Sequence, residues 1–528
     1  MGKIARYLNQ LIIGNVFDAP EILDAYSTDR SILKIKPKAV ALPESTEDVQ
    51  KLMRFCHQLA TKDIKFSATV RGSGLDEMGA DISNELIIST EKLNKLLESD
   101  KRERLVRVQA GITLRELNTA LSVNGLTIPI GGHETETIGG LISNCPADDY
   151  SGKYGGIMNY VERIEVVLPN GDILQTNRLG KRALKQKIGE KTTDGSIYRK
   201  IDQVVKANEP LVQEIRENKN NSCGYPTIAQ AHRKKSLDLM PLFFGAEGTL
   251  GIITEVILHA VPLVDKTKRV VATFKDFEVA QRFLELTNSL KPRELNFYDM
   301  SIIKTVEETG KQLGEITGKL ETGFVVFARF DRRNKSCIRK ILSISKVLPR
   351  STKLIIESDK NKVSLNELEN SISSFLNQTK TGARLPIVTD FYLPQKNLEN
   401  FLRDLEILSK SLKTELALYG SYSASNYNLR PKFDTEDEEY NKKILAFLRA
   451  SAFIIKRQGG ALAGGSPEGR VKAIVTNTEM PEAEKNLYLE IKNIFDRYGI
   501  MNPAVKLGAD SQFTIRHFNT TNPDKIVV

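Results

Sequence analysis

Apolar positions follow different patterns in the two halves of the chain. From Pro37 to Leu263, short apolar runs such as "IKFSATV" and "RLVRVQAG" predict strands separated by short helices. A helix is predicted to begin near Ser45, and a hairpin is predicted to turn on Asn170-Gly171. From about Val264, strands such as "KRVVATF" alternate with helices such as "FEVAQRFLELTNSL". This alternation predicts an α+β unit with helices on one face of a sheet.

The length and composition are those of a globular protein with more than one structural unit. The chain has 528 residues, of which 40% are hydrophobic and 27% are charged. The net charge is +10, and the basic excess concentrates in residues 178–200. A solvated surface explains this basic stretch, and weak contact with an anionic membrane face is the alternative. Tyr198 is its only aromatic residue, so nucleic-acid binding is not expected.

Cysteine and histidine are few. The four cysteines form no CxxC pair, which predicts a reducing compartment and no cysteine-based metal or redox motif. No apolar run is long enough to span a membrane. We therefore expect a cytoplasmic protein, with peripheral contact to the inner membrane face through the basic stretch as the alternative. None of the five histidines lies between residues 260 and 516, so the second half has almost no imidazole for chemistry.

Three glycine-rich turns lie in the first half, with the sequences "VRGSGLDEMG", "TIGGLISN" and "FGAEGTLGIITE". Glycine allows consecutive backbone N–H groups to face a phosphate without obstruction by side chains. The first turn lacks the GxGxxG spacing and the following helix of a Rossmann fold, and the chain contains no GxxxxGK[ST] motif. Three such turns in one β-rich half favour a bound diphosphate.

In this order the turns resemble the flavin-binding domain of the vanillyl-alcohol oxidase / p-cresol methylhydroxylase (PCMH) superfamily. The chain is most similar to the branch that contains FAD-linked D-lactate dehydrogenase and the FAD-linked chain of glycolate oxidase. "RGSG" resembles its RGxGT pyrophosphate loop, and "FGAEGTLG" resembles its G-S-E-G-T-L-G motif. The resemblance continues through "ARLPIVTDFYLP", "YGSYSASNYNLRP" and "GGALAGGSPEGRV", so it covers nearly the whole chain.

The resemblance implies an α+β protein with a two-subdomain PCMH-type FAD-binding domain and an α+β substrate (cap) domain. Its implied segments are an N-terminal helical segment (1–36), the FAD-binding domain (37–263), the substrate or cap domain (264–480), and a C-terminal helix and tail that return to the flavin domain (481–528). Relatives that attach flavin covalently use a histidine or cysteine near it, and His133 and Cys145 are the only such residues near the implied site. We expect FAD to bind without a covalent link. The implied cofactor-binding residues are Arg71, Gly72, Ser73, Gly74, Leu75, Thr137, Gly139, Gly140, Glu247, Gly251, Ile252 and Ile253.

One part of the resemblance is broken. In the D-lactate dehydrogenase branch two histidines of a G-H-x-G-D-G-N-x-H loop bind a divalent metal, whereas Ser421 and Asn428 stand at those positions here. The G-E-H-G-x-G motif reads "GGSPEG" from Gly464, so Gly465 and Ser466 replace its glutamate and histidine. The relatives' "ED" pair is Thr389-Asp390 in this chain. Neutral Ser and Asn cannot replace imidazole and carboxylate as metal ligands, so no metal is expected.

Two functions from different classes follow. The chain is an FAD-dependent oxidoreductase that transfers a hydride from an alcohol or a 2-hydroxy-acid-like substrate to flavin without a metal, and a separate electron acceptor then reoxidises the flavin. Alternatively, it is a flavin-binding pseudoenzyme with a binding or assembly role. The intact flavin motifs favour the enzyme. Candidate catalytic residues are Arg384, Asn426 and Arg430, which could hold a carboxylate or phosphate, and Tyr392, Tyr419 or Tyr427, which could assist a proton.

Overall fold

The structure is a computed structural model in which three sheets are arranged around one large cavity. The residues it describes are 2–218, 220–233, 236–264, 266–308, 322–331, 335–345, 348–349, 352–376, 384–434, 436–465 and 468–519. Ser466, which was predicted to replace a metal-binding histidine, lies outside these residues.

The first sheet has the strand order β1-β2-β4-β3, in which β1 is antiparallel and the other strands are parallel. Helix α3 begins where predicted, because the Ser45 hydroxyl accepts a hydrogen bond from the N–H of Asp48. Apolar residues of α1 and α3 form a core with the strands. The elements are α1 (Lys3–Leu11), β1 (Asn15–Phe17), α2 (Pro20–Ala25), β2 (Ala39–Leu42), α3 (Thr46–Ala60), β3 (Ala68–Arg71) and β4 (Leu86–Ser89).

The second sheet is antiparallel in the order β5-β6-β12-β8-β9. The predicted hairpin joins β8 and β9, and Gly171 takes the left-handed φ of 82° that such a turn favours. The elements of this part of the chain are β5 (Leu96–Asp100), β6 (Leu105–Gln109), α4 (Leu114–Ser122), β7 (Leu126–Thr127), α5 (Ile138–Asn144), α6 (Ser151–Tyr154), β8 (Val161–Val167), β9 (Ile173–Gln175), α7 (Lys181–Gly189), α8 (Thr193–Ala207), α9 (Glu209–Glu217), α10 (Ile228–Ala231), β10 (His232–Arg233), β11 (Ser236–Leu237), β12 (Ile252–His259) and β13 (Val261–Pro262). Strand β7 pairs with β13 and β10 pairs with β11, which gives two additional two-stranded sheets.

The third sheet is antiparallel in the order β17-β14-β16-β15-β19-β20-β18. The segment "LYGSYSASNYNLRP", which contains the relatives' two histidine positions, is a hairpin of two strands, β19 and β20. The elements of this domain are β14 (Thr267–Phe274), α11 (Phe277–Ser289), β15 (Glu294–Asp299), α12 (Met300–Glu308), β16 (Phe324–Asp331), α13 (Lys335–Ser345), β17 (Lys353–Ile356), α14 (Lys362–Leu376), β18 (Val388–Tyr392), α15 (Leu398–Leu412), β19 (Leu416–Ser421), β20 (Asn426–Pro431), α16 (Tyr440–Arg457) and α17 (Ala473–Glu479).

Helices cover both faces of this sheet, so the prediction of helices on one face was wrong. Side chains alternate along a strand, and the β14 residues Val270 and Ala272 contribute to the core that includes α11, α15 and α16. Val271 contributes instead to a smaller core with α12 and α14. The other side chains on this second face border the cavity. Polar side chains facing the cavity therefore alternate with apolar side chains facing the core along these strands.

The C-terminal segment packs on the first half of the chain, residues 37–263. Helix α18 (Glu482–Phe495) places Leu487 and Ile491 in the core of the second sheet, and Met501 joins the core of the first. Backbone hydrogen bonds between Ala68 and the segment at residues 500–502 extend this contact. A short helix, α19 (Ser511–Arg516), follows. Within the described residues no helix is long and apolar enough to cross a membrane.

Candidate active site

The cavity has a volume of about 820 Å³ and lies between the glycine-rich turns and the third sheet. Its two walls differ in chemistry. Backbone and small side chains of the glycine-rich turns form one wall, and polar side chains of β15, β16, β19 and β20 form the other. Further lining comes from the segment 131–150, which carries several carboxyl groups, and from helix α14, strand β18 and the side chains of Arg30 and Arg115.

The first glycine-rich turn leaves β3 at Arg71 and depends on glycine for its shape. The Arg71 side chain folds back, so that Nη1 donates to the carbonyl of Thr28 at 3.0 Å. Gly74 has a φ of 71°, and a Cβ there would lie 2.3 Å from Arg71 Nη2. Gly72, Ser73 and Leu75 line the cavity, whereas Arg71 and Gly74 hold the turn in place.

The second turn begins α5 and touches the first. The hydroxyl of Thr137 accepts a hydrogen bond from the N–H of Gly140 at 3.2 Å, which caps the helix. A Cβ on Gly72 would lie 2.5 Å from Thr137 Oγ1, and a Cβ on Gly139 would lie 2.9 Å from the Ala110 Cβ. Gly139 and Gly140 line the cavity and Thr137 supports them from behind.

The third turn contains Glu247, whose side chain forms a buried network. Its carboxylate accepts hydrogen bonds from the N–H groups of Glu468 (2.9 Å) and Gly469 (2.7 Å), and Lys506 Nζ lies 3.0 Å away. Gly248 follows with a φ of 66°, and a Cβ there would lie 2.2 Å from Val70 Cγ1.

Only two of the four predicted cofactor-binding residues in the third turn line the cavity. Glu247 and Ile253 line the cavity. Gly251 packs against Val167 and Ile252 lies in a core, so neither is among the cavity-lining residues. The roles assigned to all twelve residues stay predictions.

The walls formed by these turns suit an extended dinucleotide. Close backbone packing at Gly72, Gly139 and Gly248 leaves no space for a Cβ, so the backbone itself forms the cavity surface. Peptide N–H groups on such a surface would receive the diphosphate.

Two residues could link flavin covalently. His133 lines the cavity, and burial, followed by the charge of Arg30, lowers its pKa to about 4. Cys145 does not line the cavity, and burial raises its pKa to about 12, so it stays a thiol at neutral pH. Binding without a covalent link stays our prediction.

Asn428, which stands at one of the relatives' two histidine positions, and its neighbour Asn426 are hydrogen-bonded to Asp390. The amide N–H₂ of Asn426 donates to Asp390 Oδ1 at 2.8 Å and to the carbonyl of Ala147 at 2.9 Å. The Oδ1 atom of Asn428 accepts from the N–H of Asp390 at 3.0 Å. Ser421 and Thr389 line the cavity beside them.

The segment that carries the relatives' other metal-binding motif meets these residues through its backbone, because the N–H of Gly464 donates to the carbonyl of Asp390 at 3.3 Å and the carbonyl of Gly465 accepts from the N–H of Ala147 at 2.5 Å. Glu468 is buried, and its carboxylate accepts from the N–H of Gly224 and the hydroxyl of Thr476 while pairing with Lys506 at 3.2 Å. Across the described part of the chain, no group of three or more His, Cys, Asp or Glu side chains could hold a metal ion.

The arginines of the cavity are paired with carboxylates. Arg430 Nη2 lies 2.8 Å from Glu77 Oε1, and its Nε donates to the Tyr419 hydroxyl at 3.0 Å. Arg329 lies between two carboxylates, with Nε 2.9 Å from Glu294 Oε2 and Nη2 2.9 Å from Glu369 Oε1.

The remaining catalytic candidates lie outside the cavity lining. Arg384 pairs with Glu415 at 3.0 Å. Tyr392 exchanges backbone hydrogen bonds with Ala461, and Tyr427 is buried against Phe297. Asn426, Arg430 and Tyr419 do line it, because alternate residues of β19 and β20 face the same way.

Two carboxyl groups of the segment 131–150 have strongly raised pKa values. Burial raises the pKa of Glu136 to about 8 despite the charge of Arg30. Burial, with the charges of Glu294 and Asp148, raises the pKa of Asp149 to about 8. Both therefore exchange protons near neutral pH, as groups in active sites often do.

Sequence reasoning missed these two carboxyls and the polar face of β15. In "ELNFYD", Glu294, Asn296 and Tyr298 alternate with the apolar Leu295 and Phe297, and all three polar residues line the cavity. That alternation was the available signal. No local signal marked Glu136 or Asp149.

Comparison with known proteins identifies the two halves of the chain. The model of the FAD binding domain matches residues 37–177, and the model of the C-terminal domain of FAD linked oxidases matches residues 265–505. The chain therefore belongs to the FAD-linked oxidoreductases, and FAD is its cofactor. The resemblance drawn from the glycine-rich turns is confirmed.

Several curated relatives share this organisation. D-lactate dehydrogenase from Archaeoglobus fulgidus is 25% identical over 490 residues, which cover 91% of this chain and 95% of that protein. D-2-hydroxyglutarate dehydrogenase from Pseudomonas putida is 23% identical over 513 residues, which cover 90% of this chain and 49% of that protein. The chain thus spans about half the length of the first curated relatives it matches.

Solved structures share the fold. The 4-ethylphenol oxidase from Gulosibacter chungangensis superposes with a TM-score of 0.64 at 15% identity, covering 94% of this chain and 95% of that one. An alkyldihydroxyacetonephosphate synthase gives a TM-score of 0.61 at 16% identity, covering 94% of this chain and 84% of that one. The predicted α+β fold class is confirmed.

Proposed function

We propose that the chain is an FAD-dependent oxidoreductase that removes a hydride from the CH–OH carbon of an alcohol or hydroxy-acid-like substrate without a bound metal. The observation that carries this proposal is that Ser421 and Asn428 stand at the relatives' two histidine positions, with Asn428 Oδ1 engaged by the N–H of Asp390. Bound FAD supplies the acceptor for the hydride.

The bonds around Asp390 argue against a metal. Asn428 Oδ1 is occupied by the N–H of Asp390. One carboxylate with neutral amides is a poor set for a transition metal, which prefers imidazole, thiolate or several carboxylates.

Without a metal to acidify the substrate hydroxyl, the proton needs a positioned base. We assign this role to Asp149, which lines the cavity beside the polar face of β15. Its pKa of about 8 means that the ionised form, which accepts the proton, becomes populated as the pH rises through neutrality. The C–H electron pair leaves with its hydrogen, the O–H proton moves to Asp149, and the carbon–oxygen bond becomes a carbonyl.

Anaerobic bleaching of the bound flavin tests this proposal. A panel of alcohols and hydroxy acids should contain compounds that bleach the wild-type protein. Asp149→Asn should slow bleaching by roughly 10²–10⁴-fold at unchanged FAD content, as expected for loss of a general base. The matched control, Asp276→Asn, changes an exposed residue and should bleach at the wild-type rate.

Two results would count against the proposal. Bleaching of Asp149→Asn at the wild-type rate would remove Asp149 from the mechanism. If the FAD-loaded wild-type protein is bleached by no member of a broad panel, the chain is a flavin-binding protein without this activity.

A further inference from the structure

Helix α1 and the loop that follows α3 expose large apolar side chains to solvent. Ile4 and Tyr7 of α1 are 40% and 49% exposed, and Ile64 of the loop is 50% exposed. The ring centroid of Tyr7 lies 5.6 Å from that of Phe55 on α3, and the centroid of Phe55 lies 5.8 Å from that of Phe66. Phe66 is two residues beyond Ile64, so these rings connect the exposed side chains of the helix and the loop. We call Ile4, Tyr7, Phe55 and Ile64 the α1–α3 patch.

Helices α1 and α3 run side by side in opposite directions. The N–H of Ile13, just beyond α1, donates to Asp48 at the start of α3 at 2.9 Å. Tyr7, in the middle of α1, instead contacts Phe55, which lies in the second half of α3. The first turn of α1 therefore lies beside the C-terminal end of α3, from which the chain continues into the loop that carries Ile64. The apolar residues of both segments consequently lie at one end of the helix pair.

Basic side chains accompany the patch. Lys3 and Arg6 of α1 and Lys62 and Lys65 of the loop after α3 are exposed. Asp63 is the one acidic residue of that loop. Exposed apolar side chains beside cations suit a partner that is anionic at its surface and apolar beneath it. A phospholipid membrane has this arrangement, and it binds amphipathic helices with basic polar faces.

The β8–β9 hairpin connects α3 with the basic stretch 178–200. The side-chain amide of Gln50 on α3 donates to the carbonyl of Gly171 in the hairpin at 2.8 Å. The hydroxyl of Thr193, which belongs to the basic stretch, donates to Asp172 Oδ2 at 2.5 Å. The α1–α3 patch and the basic stretch therefore lie on neighbouring elements, and the positive charge of the stretch adds to that of the patch.

A second copy of this chain is a poorer partner for the patch. A two-fold symmetric interface brings the same surface of both chains together. The cations of one copy would then face the same cations of the other, and like charges across an interface oppose association. An anionic membrane provides the opposite charge and also accepts the apolar side chains.

We propose that the α1–α3 patch is a membrane-binding surface that lies on anionic phospholipid. Ile4, Tyr7 and Ile64 enter the boundary between the headgroups and the acyl chains, where a tyrosine buries its ring and keeps its hydroxyl hydrated. Lys62 and Lys65 contact the lipid phosphates. The basic stretch 178–200 adds attraction that salt screens.

Co-sedimentation of the FAD-loaded protein with liposomes tests this surface. It needs no turnover, so its result is independent of the proposed oxidation. The liposomes contain either phosphatidylcholine alone or phosphatidylcholine mixed with phosphatidylglycerol. We expect the wild-type protein to bind the mixed liposomes at low salt and not the neutral ones. Ile4→Ser, Tyr7→Ser and Ile64→Ser combined should weaken binding roughly tenfold or more, because three apolar side chains no longer leave water.

The matched control changes three exposed apolar side chains of the third domain. Leu286 of α11, Ile407 of α15 and Phe453 of α16 are 48%, 68% and 63% exposed. Their combined replacement by serine should leave liposome binding at the wild-type level. Far-UV circular dichroism and FAD content show whether each variant keeps the fold.

A second variant tests the charges and serves if the apolar variant does not fold. Lys62→Glu with Lys65→Glu should also weaken binding to the mixed liposomes roughly tenfold or more, since each basic residue near an anionic surface contributes to binding. The control is Lys410→Glu with Lys442→Glu, which reverses two exposed charges of the third domain and should bind as the wild type does.

Three results would overturn the inference. The first is a wild-type protein that does not bind the mixed liposomes, or binds neutral ones equally well. The second is wild-type binding by both patch variants. The third is a wild-type dimer that ignores liposomes and that the patch variants convert to a monomer, because the patch would then join two copies of the chain.

Discussion

The buried network around Lys506 gives the sharpest prediction about stability. Lys506 Nζ lies 3.0 Å from Glu247 and 3.2 Å from Glu468, and all three side chains are at most 1% exposed. The network joins the third glycine-rich turn to the C-terminal segment. Lys506→Met would leave two buried carboxylates without a cation.

The contacts set the size of the effect. Removing one partner of a buried ion pair costs about 3–5 kcal/mol. Each carboxylate would keep two hydrogen bonds, Glu247 from the N–H groups of Glu468 and Gly469, and Glu468 from Gly224 and Thr476. We therefore expect a loss near the lower end of that range, about 3 kcal/mol.

The loss should depend on pH. Burial raises the pKa of Glu247, and Lys506 is the largest influence that lowers it. Without Lys506 the pKa rises further, so the folded variant holds a proton that the unfolded chain releases. The free energy of unfolding of the variant should consequently be lower at pH 8 than at pH 6.

Urea unfolding measures this effect by circular dichroism, while flavin fluorescence reports FAD release; the chain contains no tryptophan to interfere. The control is Lys442→Met, an exposed residue paired with Glu439, which should leave the unfolding midpoint unchanged. If Lys506→Met retains FAD and unfolds within about 0.5 kcal/mol of wild type at pH 8, the network does not stabilise the turn.

Three further outcomes are expected. Gly248→Ala should abolish FAD retention, because its Cβ would meet Val70. Gly125 has a similar φ of 67° and no atom within 4 Å of the position that a Cβ would take, so Gly125→Ala should retain FAD. Equal retention by the two variants would contradict the steric argument. The free energy of unfolding should fall as the pH rises from about 5 to 8, because Glu136 with its raised pKa holds a proton in the folded protein that the unfolded chain releases. Urea titrations at several pH values should show a flatter pH dependence for Glu136→Gln. An unchanged pH dependence would exclude Glu136 as its source. If the basic stretch 178–200 contacts anionic lipid, at about 1 kcal/mol per basic residue near the surface, co-sedimentation with liposomes should occur at low salt and disappear at high salt; absence at both would leave a solvated surface.

Local sequence predicted the features that local sterics determine. The glycine-rich turns, the start of α3 at Ser45 and the hairpin at Asn170-Gly171 all depend on neighbouring residues. Partners distant in sequence were not predictable. Glu247 was assigned to the cofactor from its motif, but its carboxylate bonds to residues more than 200 positions away.

The same limit affected the candidate arginines. Arg430 was expected to be available to a substrate anion, yet its partner Glu77 lies 353 positions earlier in the chain. The polar alternation in β15 was visible in the sequence, but only the tertiary arrangement shows that this face borders the cavity.

Hydride removal without a metal is tested most directly by measuring metal content and flavin bleaching on the same sample before and after chelation. We expect no stoichiometric zinc, manganese or iron, and an unchanged bleaching rate with the best substrate after chelation. Close to one metal ion per chain, together with bleaching that chelation abolishes and metal restores, would contradict this mechanism.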